Sequence, residues 1–359
     1  MENRLSLSIS LPFVAGTALG AALPVCDWGA CAALTAVAGC LVMLACGRRR
    51  DRILLVLLLF SLGLFCYSSR AADLAGFPVG AGSEVMVHVR GRIDDIPFGH
   101  GTTAPLLRAL MTGDRSGLDR QTVTMFRRSG ASHLLALSGL HLGIIALFLR
   151  CLLTALGNSR PARIVRATVL VGFCLAYTVG CGASPSLLRA LLFIILQQIA
   201  ALSPGRRSSP ADRLCIAATV QLAFDPMAIG SVAFQLSYMA MLGIVFIAPR
   251  LEAWYPSTRL SARIDPVRWI WKAASLALSC QLTTAPLVWL RFGSLPRYFL
   301  LTNLLAMPLC ELLLPLGIVT LALTSPFPHS ELDPDSVLIR ATDALSTLFL
   351  QVLRIIADL

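Results

Sequence analysis

The sequence predicts an all-α polytopic integral membrane protein with broken or re-entrant helices. The chain has 359 residues, of which 56% are hydrophobic and only 14% are charged. Such a composition is too apolar for a soluble domain of this size. Long uncharged runs recur along the whole chain, so several membrane spans are expected rather than one anchor.

The N-terminal region, residues 1–72, is interpreted as transmembrane spans at 5–24, 28–46 and 53–69. The first run follows MENR directly and lacks a small-residue cleavage site, so we expect it to be retained. The loop GRRRDR separates the second and third runs, and the positive-inside rule places it in the cytoplasm.

Residues 73–130 are the one sizeable polar segment, and the third span places them outside the cytoplasm. Within this segment VMVHVRGRI, from Val85 to Ile93, alternates apolar and polar residues. Alternation of this kind predicts one or two short β-strands. Two helices are expected after the following Gly/Pro-containing loop.

Residues 131–325 form the main apolar domain, with runs at 132–156, 167–182, 187–202, 273–290 and 298–324. The basic loops NSRPARIVR and PGRRSSPADR fall on the same side as GRRRDR, and both termini are then cytoplasmic. Two runs meeting at Asp225-Pro226 predict a short or re-entrant segment. The aromatic-rich stretch at 252–272 predicts a helix lying on the cytoplasmic face. Residues 326–359 predict a C-terminal amphipathic helix that docks on the rest of the chain.

The net charge of +11 has two explanations. Arginines in cytoplasmic loops set topology and produce a basic membrane protein without any anionic ligand. An anionic substrate is the other explanation. The 11 cysteines contain no C-x-x-C pair and mostly fall in apolar runs, where they are expected to be small buried hydrophobes.

Helix-breaking or small residues interrupt several apolar runs, as at Ser138-Gly139, Pro185, Gly230-Ser231, Pro286 and Pro308. Unwound backbone at membrane depth is tolerated only where protein buries it or water reaches it. These breaks therefore predict a wet path or substrate site. Close helix packing through small residues is the alternative.

Polar side chains accompany these breaks and are expected to line such a path. The set comprises His133, Ser138, Gly139, His141, Pro185, Arg189, Gln235, Gln281, Asn303 and Glu311. A charge in hydrocarbon costs a few kcal/mol even on the lenient insertion scale, so Arg189 and Glu311 either pair with each other or face the path.

Histidines such as His133 and His141 can serve as metal ligands or as catalytic groups. On an unbroken helix they would lie about 12 Å apart along the axis and about 80° apart around it, so they could not share a metal. Ser138 and His141 share a helical face, but no orienting carboxylate or oxyanion donors accompany them in sequence. We therefore expect no catalytic residue, metal or cofactor, and a protein that is not an enzyme.

The stretch HLLALSGLHLG, residues 133–143, resembles the signature of the ComEC family of competence proteins. Further blocks resemble the family in the same order across residues 100–325. They are GDRSGL at 113–118, GASPSLLRALL at 182–192, FDPMAIGSVAFQLSYMAMLGI at 224–244 and QLTTAPLVWLRFGSLPRYFLLTNLLAMPL at 281–309.

The resemblance implies a multi-pass channel in the bacterial inner membrane that passes single-stranded DNA during natural transformation. Its implied partners are single-stranded DNA, the lipid bilayer, a separate nuclease, and a cytoplasmic motor or single-stranded-DNA-binding protein; homo-oligomers are another option. Larger members carry an OB-like domain, of which 73–130 would be a remnant, and a metallo-β-lactamase-like domain that this sequence does not show. The sequence also has no P-loop motif. A secondary transporter for a small anion and a non-catalytic scaffold for competence partners stay open as alternatives.

Overall fold

The computed structural model describes residues 5–22, 58–67, 84–135, 137–157, 159–202, 209–255, 265–324, 333 and 335–359. Within these ranges the chain is helical and contains no strand, which confirms the all-α fold class. It divides into two compact units. The first comprises Met1–Pro78 with Leu192–Met241, and the second comprises Val79–Leu191 with Leu242–Leu359.

The first unit is built around two N-terminal helices, α1 (Leu5–Ala22) and α2 (Leu58–Tyr67). A Cβ on Gly16 would lie 2.0 Å from the Phe60 carbonyl oxygen, and a Cβ on Gly63 would lie 2.1 Å from that of Phe13. The two backbones thus touch at reciprocal glycines, as small residues permit between membrane helices. The predicted span at 28–46 lies outside the described residues.

The described helices that follow have these bounds. They are α3 (Glu84–Asp94), α4 (Thr103–Thr112), α5 (Arg120–Arg128), α6 (Ser132–Leu135), α7 (Gly139–Leu152), α8 (Arg160–Gly180), α9 (Pro185–Leu202), α10 (Pro210–Phe224), α11 (Val232–Leu242), α12 (Ala248–Glu252), α13 (Pro266–Phe292), α14 (Phe299–Thr324) and α15 (Val337–Ala357). Short 3₁₀ turns lie at Leu153–Leu156 and Pro226–Gly230, and a π-helical turn lies at Gly243–Ile247.

The strand prediction for Val85–Ile93 is wrong, because these residues belong to helix α3. The β-branched Val85 and Val87, which suggested a strand, are 66% and 60% exposed. Met86 and Ile93, seven residues apart, are buried on one helical face, and α3 packs against α4. Burial at helical spacing has overridden the local preference of valine for strands.

Six described helical segments are long and apolar enough to cross a membrane, so the chain is a multi-pass membrane protein. They are Gly139–Leu156, Arg160–Gly180, Pro185–Leu202, Val232–Glu252, Pro266–Phe292 and Phe299–Thr324. Of the two runs meeting at Asp225-Pro226, only α10, with 15 residues, is shorter than a span.

The expected interfacial helix at 252–272 differs from the structure at its C-terminal end. Trp269 and Trp271 lie in the first turns of the long span α13, whose N-cap is Asp265. The Trp271 indole donates a hydrogen bond to the Leu251 carbonyl, 2.9 Å away. Residues 256–264 lie outside the described ranges.

The C-terminal helix α15 packs along α14 in the second unit. Its Phe349 and Leu353 are fully buried in the same apolar core as Leu313 of α14. The hydroxyls of Thr320 and Thr342 lie 2.8 Å apart across this contact. The helix therefore uses its apolar face for packing within the protein.

Candidate functional site

The HLLALSGLHLG stretch contains a break between two helices. Helix α6 ends at Leu135 and α7 begins at Gly139. Ser138 has an extended backbone, φ −111° and ψ 161°, and is the N-cap of α7. Serine is a favoured N-cap residue, so the local sequence favours a new helix start at this point.

His141 lies in the first turn of α7 and is completely buried. The backbone N–H of Ser138 donates to its Nδ1 at 3.4 Å. A neutral imidazole that accepts at Nδ1 carries its proton on Nε2. That Nε2 and the Ser138 hydroxyl are buried, and neither has a hydrogen-bond partner among the described residues. Two hydrogen-bond donors therefore lie unused at the start of this helix.

The GASP segment makes a second helix start. Gly182 and Ala183 adopt left-handed backbone conformations, with φ of 79° and 49°. Helix α9 begins at Pro185, a residue pre-organised for the first helical position. The Ser184 hydroxyl accepts from the Leu187 N–H at 3.4 Å.

These two helix starts contact each other through Gly139. A Cβ at Gly139 would lie 3.1 Å from the Ala190 Cβ and 3.5 Å from the Ser186 carbonyl oxygen. Arg189, on the same turns of α9, is 3% exposed and donates from Nη2 to the Ser186 hydroxyl at 2.8 Å. We call this arrangement of Ser138, Gly139, His141, Ser186 and Arg189 the donor corner.

The donor corner combines positive partial charge with a full positive charge. Helix N-termini carry about half a positive charge and present unpaired N–H groups. Arg189 adds the full positive charge of a guanidinium, one of whose N–H groups donates to the Ser186 hydroxyl. An anion such as a phosphate is the ligand that such a set of donors favours.

The loop Gly113–Leu118 supports the break from one side. Arg115 donates from Nε to the Leu135 carbonyl, 2.8 Å away, at the last residue of α6. A Cβ at Gly113, whose φ is 75°, would lie 2.6 Å from Leu137 Cδ1. This loop contains the GDRSGL block, and no local sequence pattern indicates that it supports the helix break.

An ion-pair network holds this loop in place. Arg108 contacts Asp94 at 2.8 Å and Asp114 at 2.7 Å. Burial raises the pKa of the Asp114 carboxyl, but hydrogen bonds from Ser116 and Arg108 outweigh burial and lower the pKa to about 2. Asp114 is therefore ionised at any physiological pH.

Three further predicted path residues are His133, Gln235 and Gln281. His133 is exposed on α6, and its Nδ1 lies 3.1 Å from the Gly130 carbonyl oxygen. Gln235 belongs to the first unit and donates to the nearby Ile229 carbonyl at 2.9 Å. Gln281 on α13 is half-buried. None of the three is part of the donor corner.

Asn303 and Glu311 both lie on α14. Asn303 is half-buried, and its Oδ1 has no hydrogen-bond partner in the described part of the chain. Glu311 is exposed and forms no ion pair with a described residue, so the alternative of a pair with the buried Arg189 is not realised. No group of three His, Cys, Asp or Glu residues that could hold a metal occurs among the described residues.

Comparisons with known proteins identify the family. Residues 110–359 match the family model described as "Competence protein". The chain is 32% identical over 140 residues to ComE operon protein 3 of Bacillus subtilis. The aligned region covers 39% of this chain and 18% of that protein. The chain is 30% identical over 217 residues to Recombination protein 2 of Haemophilus influenzae, which covers 58% of this chain and 27% of that protein.

A third relative is Competence protein ComA of Neisseria gonorrhoeae, 33% identical over 210 residues, covering 56% of this chain and 28% of that protein. The matched region is less than a third of the length of each of these relatives. No solved structure matches the chain. The family model covers more than half of the sequence, and the chain belongs to the ComEC family of competence proteins.

Proposed function

We propose that this protein passes single-stranded DNA across the bacterial inner membrane during DNA uptake. Membership of the competence protein family supports a role in uptake. The observation that carries the proposal is the donor corner, where His141, Ser138 and Arg189 lie together at the N-termini of two membrane spans, α7 and α9.

A DNA conduit needs contacts that every nucleotide can make. Phosphates are common to all nucleotides, and backbone N–H groups and arginine bind them without reading sequence. The contacts must also be weak enough to release each phosphate, since a site that binds tightly stalls transit. Partial charges at helix ends with a single arginine fit this requirement better than a cluster of full charges.

In this proposal the chain conducts DNA and carries out no covalent chemistry. Degrading one strand of duplex DNA needs an activated water, normally on metals held by clustered ligands. Pulling a polyanion inward needs an energy source. We therefore assign both tasks to partners, a separate nuclease and a cytoplasmic motor or single-stranded-DNA-binding protein.

Gene deletion followed by complementation tests the proposal. Labelled DNA is followed into the cytoplasm of cells carrying wild type, Arg189→Gln, or the control Arg163→Gln, which removes an exposed arginine from α8. We expect the deletion to abolish cytoplasmic label, the control to restore it, and Arg189→Gln to restore it poorly at near-normal membrane abundance.

Two results would contradict the proposal. Undiminished DNA entry in the deletion strain, with loss of a saturable flux of a small anion, would favour a solute transporter. Full restoration of uptake by Arg189→Gln would remove the donor corner from the DNA path and would favour a scaffold.

A further inference from the structure

Helix α5 presents a row of exposed arginines. Arg120 and Arg127 are seven residues apart, which places them about 20° apart around the helix axis and about 10.5 Å apart along it. Arg128 lies about 80° from Arg120 on the same side. All three are exposed, and none forms an ion pair with a residue in the described ranges.

The acidic residue at the start of this helix does not neutralise the row. Asp119 is the N-cap of α5, and its Oδ1 accepts a hydrogen bond from the Thr122 N–H at 3.1 Å. Its carboxylate therefore faces the backbone of the first turn. The outward face of α5 carries three positive charges and no negative one.

The loop between α13 and α14 adds a fourth arginine. Gly130, two residues after α5, has φ of 79°, and a Cβ there would lie 2.9 Å from the Pro296 Cβ. This contact holds the loop against the end of α5, and the next residue, Arg297, is exposed. We call Arg120, Arg127, Arg128 and Arg297 the arginine face.

We infer that the arginine face docks the phosphodiester backbone of incoming DNA and delivers it to the donor corner. The inference rests on the proposed function. Only Ser129–Leu137, including the four-residue helix α6, separates α5 from the N-cap of α7. The Thr302 hydroxyl donates to the Ser129 carbonyl, which fixes the end of α5 to the span α14. The arginine face and the donor corner are therefore joined by a short, anchored segment.

The other polyanionic partner for such a helix is a membrane surface rich in anionic lipid. An amphipathic helix that binds a bilayer inserts its apolar face among the lipids. In α5 that face is already used, because Phe126 is fully buried and packs on Phe349 of α15 with ring centroids 5.8 Å apart. Among its outward residues only Val123 is apolar, at 38% exposure. The helix offers charge without an insertable face, which favours DNA over lipid.

The face also predicts how DNA is bound. Arginines that contact phosphates without aromatic neighbours to stack on bases give affinity without sequence preference. Each phosphate neutralised on single-stranded DNA contributes about 0.7 to the slope of log affinity against log salt concentration. The three arginines of helix α5 therefore account for a slope of about 2.

The test measures binding of a fluorescent single-stranded oligonucleotide to the whole purified protein in detergent, by anisotropy, from about 50 to 200 mM salt. The test variant carries Arg120→Gln, Arg127→Gln and Arg128→Gln. The control variant makes the same charge change with Arg150→Gln, Arg160→Gln and Arg163→Gln. These exposed arginines lie near the C-terminus of α7 and in the first turn of α8. Thermal unfolding and size-exclusion profiles of both variants check that they are folded.

We expect the test variant to bind about tenfold more weakly at the low end of this range and to lose about 2 from the salt slope, while the control keeps the wild-type values. Equal weakening by both variants would show a bulk charge effect and overturn the arginine face. Lost binding to phosphatidylglycerol vesicles with unchanged DNA binding would assign the face to lipid.

The design separates this inference from the proposed function. Wild-type protein that binds the oligonucleotide, with a test variant that binds it equally well, overturns the arginine face alone. Wild-type protein that does not bind DNA at any salt concentration overturns the proposed function as well. Cellular uptake lost in Arg189→Gln but kept in the test variant would also overturn the arginine face and leave the conduit intact.

Discussion

The backbone N–H of Ser138 donates to Nδ1 of His141 across the first turn of α7, at 3.4 Å. The imidazole takes the place that a glutamate or glutamine occupies in a capping box, where it receives the N-cap N–H. The same bond leaves the Nε2 proton of His141 directed into buried space. One side chain thus starts the helix and supplies a donor to the donor corner.

We expect His141→Gln and His141→Leu to separate these two contributions. Glutamine can accept the Ser138 N–H as histidine does, so the variant should fold and reach normal membrane abundance. Leucine cannot, and it should lower the free energy of unfolding by about 1 kcal/mol. Thermal unfolding of purified protein measures the stability that the capping hydrogen bond contributes. Uptake of labelled DNA measures the contribution of the His141 Nε2 donor to transport. Wild-type uptake by a folded His141→Leu variant would show that this donor is not used.

The contact between the starts of α7 and α9 predicts that residue 139 must be small. In Gly139→Leu the side chain would have to displace Ala190, whose Cβ already lies 3.1 Å from the position of a Cβ at residue 139. We expect this variant to lose DNA uptake. Gly143→Leu is the matched control, because no atom lies within 4 Å of a Cβ there and the residue is exposed on the same helix. Equal uptake by the two variants would mean that the close approach has no functional role.

Some of this site could be predicted from sequence because its signals are local. A Ser-Gly pair inside an apolar run indicated the helix break, and the cost of a buried charge indicated Arg189. The contact between Gly139 and Ala190 joins residues 51 positions apart, so no local pattern reveals it. The strand error at Val85–Ile93 has a related cause, because only tertiary packing shows which of its residues are buried.

The position of Arg115 illustrates the same limit. Its bond to the Leu135 carbonyl supports the broken span, yet in sequence it is one more exposed arginine in a polar loop. Gln235 is predicted to be a path residue from its polarity in an apolar run, and this stays a prediction. Its amide donates to the Ile229 carbonyl, six residues before it, a local contact that polarity alone does not indicate.

The Asp114 network predicts a stability effect with a defined pH window. The pKa of Asp114 falls from its ordinary value of 3.8 to about 2 in the folded protein, so the folded state favours the ionised form. Its contribution is present above pH 3.8 and is lost as the pH falls towards about 2. Since the carboxylate is partly solvated, we expect Asp114→Asn to cost only about 1 kcal/mol at neutral pH.

Thermal unfolding of wild type and Asp114→Asn in detergent at neutral and acidic pH measures this effect. The difference in midpoint should be constant from neutral pH to about pH 5 and should shrink below pH 4. Glu84→Gln, on exposed α3 surface, is the charge-matched control and should behave as wild type. A difference that grows on acidification would contradict the assigned direction of the pKa shift.

Asp343 connects the C-terminal helix α15 to the segment before α4. Its side chain is 10% exposed. It accepts hydrogen bonds from the Thr103 hydroxyl and from the backbone N–H of His100, and its Oδ2 lies 2.6 Å from His100 Nδ1. A Cβ on Gly99 would lie 3.1 Å from the same carboxylate oxygen, so the loop closes tightly over it. Burial raises the pKa of Asp343, and the bonds from Thr103 and His100 lower it further than burial raises it.

We expect Asp343→Leu to loosen α15, because the His100 N–H would lose its acceptor and the Thr103 hydroxyl would keep only the Ser346 hydroxyl, 2.6 Å away. Loss of one partner from such a network costs about 2 kcal/mol. Limited chymotrypsin digestion should then cut within α15 faster than in wild type, and Asp343→Asn, which keeps an acceptor oxygen, should be intermediate. Arg354→Gln changes an exposed residue of the same helix and serves as the control. Wild-type resistance of Asp343→Leu to the protease would show that apolar packing of Phe349 and Leu353 alone holds the helix.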